Sequence, residues 1–365
     1  MTARNRHLVL VGAGGNIGSH LVPHLARMPE VGRLTLIDRD IYEHRNRLNQ
    51  EMPPGAAGRK KAAVQAARAR RINPALAVTA IAEDVEALPL GALRSDLILA
   101  GLDSRRARQR VNQAAWILGI PWLDGGVLAT GLLARVTRYL PGDSHPCLEC
   151  RWDAADYAAL EQSYPCEGPA PANRAPAPAS LGALAASLLA LECRKLLLGE
   201  GSVLDPGSEL VLDAAHHRHY VTSARRNPGC RLAQHAPWNL QPLAVPAGAS
   251  LGSLLDTLRE RADANGDLAL TVEGQRIVRR LSCERCGAVK RVLRLAGRLG
   301  SGDRRCRSCG GRTVLNGFGL IERLEAAALT REERDRPLAR LGLRPGEIVT
   351  AEGAKGPVHF ELVTR

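Results

Sequence analysis

The chain has 365 residues, a formal charge of +13, and only 3% aromatic residues. This length is enough for two or three folding units. No apolar run reaches the roughly 18 residues that span a bilayer, and the first residues form no signal-peptide core, so we expect a cytoplasmic protein. Nucleic acid is disfavoured as the main partner because few aromatic side chains can stack on bases. An acidic protein surface suits the positive charge equally well.

The first third of the chain alternates apolar strands with helices. This alternation predicts an α/β fold with a Rossmann-like, doubly wound and mostly parallel sheet, followed by an antiparallel extension. The predicted parallel strands are 7–11, 33–38, 76–82, 96–101 and 120–125, with helices 16–28, 59–72 and 104–118. The extension comprises strands near 132–140, 209–214 and 218–223, and a helix over 181–198.

The composition changes near residue 239, which predicts two domains. We expect residues 1–238 to bind a nucleotide and residues 239–365 to form an α+β unit that contains a zinc ribbon over 283–309. A Pro- and Ala-rich stretch places a crossover loop at about 151–178. Near the C-terminus, Thr330 and Glu333 have the spacing of a capping box that begins a helix, and two strands are expected near 347–350 and 357–363.

A glycine-rich turn directly follows the first strand. Its glycines, Gly12, Gly14, Gly15 and Gly18, precede a helix that begins near Asn16. Backbone N–H groups at such a helix N-terminus bind phosphate, and the missing side chains let the backbone approach closely. Asp38 and Asp40 follow the second strand, where a carboxylate commonly holds a ribose. The dinucleotide pattern requires glycine at the position of Ile17, so a nucleotide is predicted but NAD is not implied.

Two CxxC pairs predict a structural zinc site. Cys283 and Cys286 are separated by 19 residues from Cys306 and Cys309. Each pair offers two thiolates to a tetrahedral ion, and four sulfur ligands leave no position for an activated water.

A third CxxC pair, Cys147 and Cys150, predicts a second closed zinc site. Its remaining ligands are predicted to be Cys230 and His235, more than 75 residues downstream. The alternative is that one of these two is incidental and that another histidine completes the site: His145, His216, His217 or His219.

The remaining two cysteines differ in their surroundings. Cys193 lies in an apolar helical run and is predicted to be a small core residue. Cys166 lies in the predicted crossover loop, where a thiol stays accessible. Reactivity would still require neighbours that lower its pKa, and an accessible thiol without a role is the alternative.

The glycine loop, the aspartate pair and the CxxC knuckle together resemble the ThiF/MoeB family, the adenylyltransferase core that is shared with ubiquitin-activating enzymes. The resemblance covers roughly residues 7–235. It implies that ATP binds at the glycine loop, with Asp38 on its ribose, Lys61 on its phosphates and Asp103 on Mg²⁺. Cys147 and Cys150 match the family's first zinc knuckle.

The segment that starts at Asp40 resembles the family's aspartate-through-NLxRQ stretch and includes Asn46 and Gln50. Asn49 stands where the family has arginine, and Arg47 or Arg45 is the expected replacement on the phosphates. The chain also departs from the family at residue 104, where serine replaces asparagine, and at its second zinc knuckle.

The resemblance implies an enzyme that adenylates the C-terminal glycine carboxylate of a ubiquitin-like protein. Cys166 falls in the loop that carries a thioester or persulfide cysteine in many members, so transfer to a conjugating partner is expected. Similarity to activating enzymes of bacterial ubiquitin-like conjugation operons implies a role in antiviral defence, and most members form homodimers. The alternatives are a sulfur-carrier adenylyltransferase, an NAD-dependent oxidoreductase with structural zinc, and a zinc-ribbon protein that binds nucleic acid.

Overall fold

A computed structural model describes residues 5–161, 177–232, 235, 237–264, 267–315 and 319–364. The chain divides into two compact units. The first comprises Met1–Val85 and Leu93–Pro237, and the second comprises Glu86–Ala92 and Trp238–Arg365. The short segment Glu86–Ala92 therefore belongs to the second unit, although it lies within the sequence of the first.

The described part of the first unit contains an eight-stranded sheet in the order β3-β2-β1-β4-β5-β6-β7-β8. Strands β1 to β5 are parallel, and β6 to β8 continue the sheet in antiparallel fashion. The predicted fold class is confirmed. The strands are β1 Arg6–Val11, β2 Val31–Ile37, β3 Ala77–Ile81, β4 Leu97–Ala100, β5 Trp122–Leu128, β6 Leu133–Tyr139, β7 Ser208–Asp213 and β8 Arg218–Ser223.

Five α-helices of this unit lie in the described residues: α1 Asn16–Ala26, α2 Lys61–Ile72, α3 Arg105–Leu118, α4 Ala154–Glu161 and α5 Ala179–Leu198. The parallel strands form because their side chains are apolar on both faces, as in the adjacent and fully buried Leu8 and Val9 of β1. Apolar side chains of α1, α2 and α5 join these strands in one core, which fixes the strand ends that carry the candidate site.

The crossover segment differs from the prediction. Residues 154–161 form α4 rather than loop, because Asp153 accepts a hydrogen bond from the backbone N–H of Asp156 at the helix start and Tyr157 is buried. Residues 162–176, which include Cys166, lie outside the described residues.

The described part of the second unit contains a five-stranded sheet, ordered β15-β10-β16-β17-β9, and a smaller sheet in which β12, β13 and β14 pair with β11. The predicted capping box at Thr330 and Glu333 and the predicted final strand pair are confirmed. The elements are β9 Leu240–Val245, α6 Leu251–Arg261, β10 Ala269–Val272, β11 Ile277–Cys283, β12 Val289–Leu295, β13 Thr313–Val314, β14 Leu320–Ile321, β15 Arg323–Glu325, α7 Arg331–Arg334, α8 Leu338–Leu341, β16 Ile348–Gly353 and β17 Gly356–Thr364.

Within the ranges that the structure describes, every helix is too short or too polar to cross a bilayer.

Candidate nucleotide site and metal centres

The candidate nucleotide site lies at the carboxyl ends of three adjacent parallel strands. β1 pairs with β2 on one side and with β4 on the other. The glycine loop follows β1, Asp38 follows β2 and Asp103 lies three residues beyond β4. Ligands of open α/β sheets bind outside this edge.

Three of the four loop glycines are required by close packing within the protein. Gly12 has φ +83°, and a Cβ on it would lie 2.5 Å from the Gly101 carbonyl oxygen. A Cβ on Gly14 would lie 2.4 Å from Cβ of Lys61, and one on Gly18 would lie 2.0 Å from the Gly12 carbonyl oxygen. Gly15 differs, because a Cβ there would make only ordinary contacts, the nearest at 3.5 Å. Packing within the protein therefore does not require glycine at position 15.

Asp38 fastens the glycine loop to the end of β2. Its Oδ2 accepts a hydrogen bond from the N–H of Gly14 at 2.8 Å, and its Oδ1 accepts one from the N–H of Asp40 at 3.0 Å. Burial raises the pKa of the Asp38 carboxyl, whereas those two N–H donors and nearby Lys61 act in the opposite direction. Asp38 is thus a buried carboxylate whose orientation is fixed beside the loop.

Lys61 is a buried cation beside the same loop. The backbone of 40–42 pairs with that of 59–61, since the N–H of Lys61 donates to the Asp40 carbonyl at 2.9 Å. The ammonium of Lys61 lies 3.2 Å from Oδ2 of Asp40 and 5.7 Å from the centre of the Tyr42 ring. Lys61 is 6% exposed, and its aliphatic stem lies against Gly14. The structure therefore brings Gly14, Asp38, Asp40 and Lys61 together.

Asp103 lies in the connection between β4 and α3, and this connection contacts the glycine loop through Gly12 and Gly101. Asp103 is exposed. The N-cap of α3 is the next residue, Ser104, whose hydroxyl accepts a hydrogen bond from the N–H of Ala107 at 3.3 Å. The carboxylate of Asp103 is consequently not committed to the helix.

The predicted phosphate-contacting segment forms a short 3₁₀ helix over His44–Leu48. Asn46 stabilises the start of this helix, since its Oδ1 accepts a hydrogen bond from the N–H of the N-cap residue Glu43 at 2.8 Å. Arg45 and Arg47 are both exposed, but Arg45 is paired with Glu43 at 2.6 Å. Arg47 is therefore better placed than Arg45 to meet an external anion.

A network that the sequence did not reveal holds the end of this segment next to Gln50. Glu51 receives a hydrogen bond from Arg68 of α2 at 2.6 Å, and its own N–H donates to the hydroxyl of Ser19 in α1 at 3.0 Å. The carbonyl of Glu51 accepts from Gln65 at 3.1 Å. Two helices thus fix the backbone beside Gln50, and no local motif would have identified these long-range partners.

The predicted metal centre at Cys147 and Cys150 is assembled from distant segments of the first unit. The ligand atoms of Cys147, Cys150, Cys230 and His235 all lie within 4.8 Å of one another. Nδ1 of His235 lies 3.2 Å from the carbonyl oxygen of His145, which directs Nε2 toward the sulfurs. His145 contributes that carbonyl rather than its ring, since its own Nδ1 contacts the Leu140 carbonyl. Hydrogen bonds from the Cys147 and Cys230 thiols lower the pKa of Cys150.

The second predicted metal centre is local to the second unit. Cys283, Cys286, Cys306 and Cys309 also have their sulfurs within 4.8 Å of one another. Gly287 and Gly310 follow the two knuckles with φ +69° and +72°, the turn that a side chain would strain. Backbone N–H groups of Cys309 and Ser308 lower the pKa of Cys306 to about 6. Both clusters, among the residues described, have a donor set compatible with zinc.

The geometry of the first unit agrees with a family match. The ThiF family model matches residues 2–232. The chain belongs to the ThiF family. The match ends at residue 232, so almost all of the second unit lies beyond it.

Three relatives illustrate the extent of the similarity. The sulfur carrier protein adenylyltransferase of Thermus thermophilus is 30% identical over 63% of this chain and 83% of its own length. Ubiquitin-like modifier-activating enzyme 5 of Dictyostelium discoideum is 29% identical over 40% of this chain and 42% of its own length. The crystal structure of E. coli MccB has a TM-score of 0.51 at 21% identity, covering 64% of this chain and 66% of MccB, which shows a shared fold.

Coverage limits what these relatives imply. The chain spans less than half the length of several curated relatives, for example 37% of the adenylyltransferase and sulfurtransferase UBA4 of Yarrowia lipolytica. The activity, substrates and partners of this ThiF-family protein are therefore inferred from its own site.

A buried ion-pair network that joins α3, β5, β6 and β7 was also missed by sequence reasoning. Asp124 of β5 is fully buried and accepts hydrogen bonds from Arg108 and Arg135, each at 2.9 Å. Arg135 also pairs with Glu209 at 3.0 Å. Burial opposes the charge on Arg135, but Asp124 and Glu209 outweigh it and raise the pKa of the guanidinium. Arg108 belongs to the first turn of α3, so Asp124 anchors the helix that follows Asp103.

The two remaining cysteines have different outcomes. Cys193 is fully buried in α5, and burial raises the pKa of its thiol to about 12, which confirms its interpretation as a core residue. Cys166 lies outside the described residues, and its proposed role stays a prediction.

Proposed function

We propose that the protein uses ATP and Mg²⁺ to adenylate the C-terminal carboxylate of a small ubiquitin-like protein. The observation that carries this proposal is the convergence of the glycine loop, Asp38 and Lys61 at one edge of the sheet, with Asp103 on the next strand connection. The family match favours ATP over the NAD-dependent oxidoreductase that the sequence also allowed.

Each group has a definite task in this proposal. The triphosphate lies at the N-terminus of α1, where Gly15 leaves room for it, and Asp38 holds the ribose. Asp103, whose carboxylate is exposed, binds Mg²⁺. Lys61 neutralises phosphate charge, and its ion pair with Asp40 holds it in place before ATP arrives. Arg47 supplies a second positive charge to the phosphates. Asn46 and Gln50, in the same segment, supply polar contacts to the nucleotide.

The chemistry follows from the poor electrophilicity of a carboxylate. One carboxylate oxygen attacks the α-phosphorus of ATP, the bond to the bridging oxygen breaks, and pyrophosphate leaves with Mg²⁺. The product is an acyl adenylate with AMP as a good leaving group. Negative charge accumulates on the phosphates in the transition state, so catalysis rests on Lys61, an arginine and the metal ion rather than on a general base.

The acyl adenylate can then be captured by Cys166. In the thioester route, the Cys166 thiolate attacks the acyl carbon, AMP departs, and the protein passes to a conjugating partner. The expected homodimer, cytoplasmic location and bacterial antiviral role belong to this same proposal.

Sulfur-carrier activation is the second candidate. It is favoured by the Thermus thermophilus adenylyltransferase, because that relative matches over most of its own length. In this route the terminal sulfur of a Cys166 persulfide attacks the acyl carbon, AMP departs and an acyl disulfide forms. A low-molecular-weight thiol then attacks Sγ of Cys166, forms a disulfide with it and releases the carrier as a thiocarboxylate.

Both cysteine clusters are proposed to bind structural Zn²⁺. Three sulfurs and one imidazole fill the first, and four sulfurs fill the second, so neither offers a position for a reactive water. The first cluster ties the Cys230–His235 segment to the knuckle at Cys147.

The test is ATP–pyrophosphate exchange with a panel of ubiquitin-like and sulfur-carrier proteins that end in glycine. Asp103→Ala should abolish exchange, and Asp143→Ala is the matched control for loss of an exposed acid. Cys166→Ala should leave exchange intact. Intact mass under non-reducing conditions then identifies a thioester or a persulfide on the wild type. Exchange that survives Asp103→Ala, or tight NAD binding without ATP binding, would contradict the proposal.

A further inference from the structure

The second unit contains a basic groove that neither the family match nor the nucleotide site explains. It has a volume of about 640 Å³ and lies between β12, the turn at 300–303, the Cys306–Cys309 knuckle and the residues around α8. Its cationic lining consists of Lys290, Arg291, Arg294, Arg307, Arg336 and Arg340. We call this feature the basic groove.

The lining of the groove carries more positively charged than negatively charged side chains. In the described part of the chain, Asp303 and Glu332 are the acids of its lining. Asp303 pairs with Arg294 at 2.6 Å and lies 3.9 Å from Lys290. These acids leave a formal excess of four positive charges.

Part of the lining is fixed in place. Nε of Arg294 donates to the Arg340 carbonyl at 2.9 Å, and Lys290 donates to the Gly302 carbonyl at 2.8 Å. Arg336 donates to the Val292 carbonyl. These contacts build a rigid wall and leave cationic charge facing the groove.

The other part is free to bind a ligand. Arg291, Arg307 and Arg340 are exposed, and their guanidinium groups have no hydrogen-bond or ion-pair partner among the residues with described positions. An arginine fork matches a carboxylate in a two-point hydrogen bond. The three free guanidinium groups therefore offer paired donors to an anion.

The surrounding sequence amplifies this charge. Residues 276–312 contain twelve lysines and arginines but only two acidic residues. Two zinc-bound thiolate pairs would remove about two of these positive charges. A basic field of this kind attracts an acidic partner over about 8 Å at physiological salt.

We propose that the basic groove is a docking site for an acidic protein segment with several closely spaced carboxylates. Two features favour a protein over nucleic acid. Among the described residues, the lining has no aromatic side chain on which a base could stack, and Asp303 and Glu332 within it would repel a continuous phosphate backbone. Discrete carboxylates can instead pair with the free arginines and avoid those two acids.

The proposal goes beyond adenylation and does not depend on it. The test uses the zinc-loaded full chain and a fluorescent hexaglutamate peptide, with hexaglutamine as the uncharged peptide and duplex DNA as a competing polyanion. Binding is followed by anisotropy. Wild type should bind hexaglutamate and not hexaglutamine, and binding should weaken as salt rises.

The deciding comparison is between two double variants that each remove two positive charges, one in the basic groove and one on α6. Arg291→Gln with Arg340→Gln should weaken hexaglutamate binding by about fivefold, from two exposed ion pairs. Adding Arg307→Gln should weaken it further, with zinc content measured because residue 307 lies within a knuckle. The control is Arg259→Gln with Arg261→Gln on α6, which should leave binding unchanged. Equal loss in the control, or tighter binding of duplex DNA than of hexaglutamate, would overturn the proposal.

Discussion

The two units build their candidate sites in opposite ways. The nucleotide edge of the first unit combines Gly14, Asp38 and Lys61 from three separate segments, and only the order of the parallel strands brings them together. The zinc ribbon of the second unit needs 27 consecutive residues, Cys283 to Cys309. The two proposals place chemistry in the first unit and recognition of a partner in the second.

The largest expected effect is the loss of folded structure in the zinc ribbon alone when its metal site is removed. Cys306→Ser should reduce the zinc content from two ions to one per chain and unfold the ribbon, because structural zinc contributes apparent binding free energies of about 10–16 kcal/mol. Hydrogen exchange should accelerate over residues 277–314 while β1 to β5 stay protected. Ser308→Ala in the same knuckle is the control. Loss of protection in both units would show that they fold as one.

Asp124 tests the stability of the first unit. Asp124→Asn leaves Arg108 and Arg135 incompletely paired in a buried position, which should lower the free energy of unfolding by about 3–5 kcal/mol. Tryptophan fluorescence measures the unfolding of this unit, since the buried Trp116 and Trp122 belong to it. Asp143→Asn, on the surface, should change little. An unchanged unfolding midpoint for Asp124→Asn would remove the network from the account.

Lys61 tests whether the buried cation serves catalysis. Lys61→Met keeps the aliphatic stem against Gly14 but removes the charge, and exchange should fall by about 10²–10³. Its neighbour Lys60 is exposed, so Lys60→Met is the matched control and should keep most of the activity. Similar rates for the two variants would make Lys61 a structural residue.

The smallest expected effect distinguishes ligand space from packing within the glycine loop. Gly15→Ala should weaken ATP binding about tenfold, or roughly 1.4 kcal/mol, with no change in unfolding, because its Cβ meets no close neighbour. Gly18→Ala should instead destabilise the protein, since its Cβ would lie 2.0 Å from a carbonyl oxygen. Calorimetry with ATP and thermal unfolding measure both. Equal ATP affinity in Gly15→Ala and the wild type would place the phosphates elsewhere.

Sequence sufficed where spacing alone determines geometry. The CxxC pairs, the glycine loop and the strand alternation are local patterns, and the described structure has the expected elements around them. Cys230 and His235 were found by their chemistry, since few residue types can complete a zinc site.

Sequence failed where partners come from distant segments. The pairing of Asp124 with Arg135 depends on the register between β5 and β6, and nothing near Asp124 indicates it. Helix α4 was missed because a single cap at Asp153 and the burial of Tyr157 outweigh a weak local pattern.

The most direct test of the central claim follows one oxygen atom. A glycine-terminated carrier protein that supports exchange is labelled with the heavy oxygen isotope at its C-terminal carboxylate, and AMP is collected after complete turnover with a thiol acceptor. If the carboxylate attacks the α-phosphorus, one labelled oxygen leaves in AMP when the acyl group is transferred. AMP without the label would mean that water attacks ATP, and it would contradict adenylation at this site.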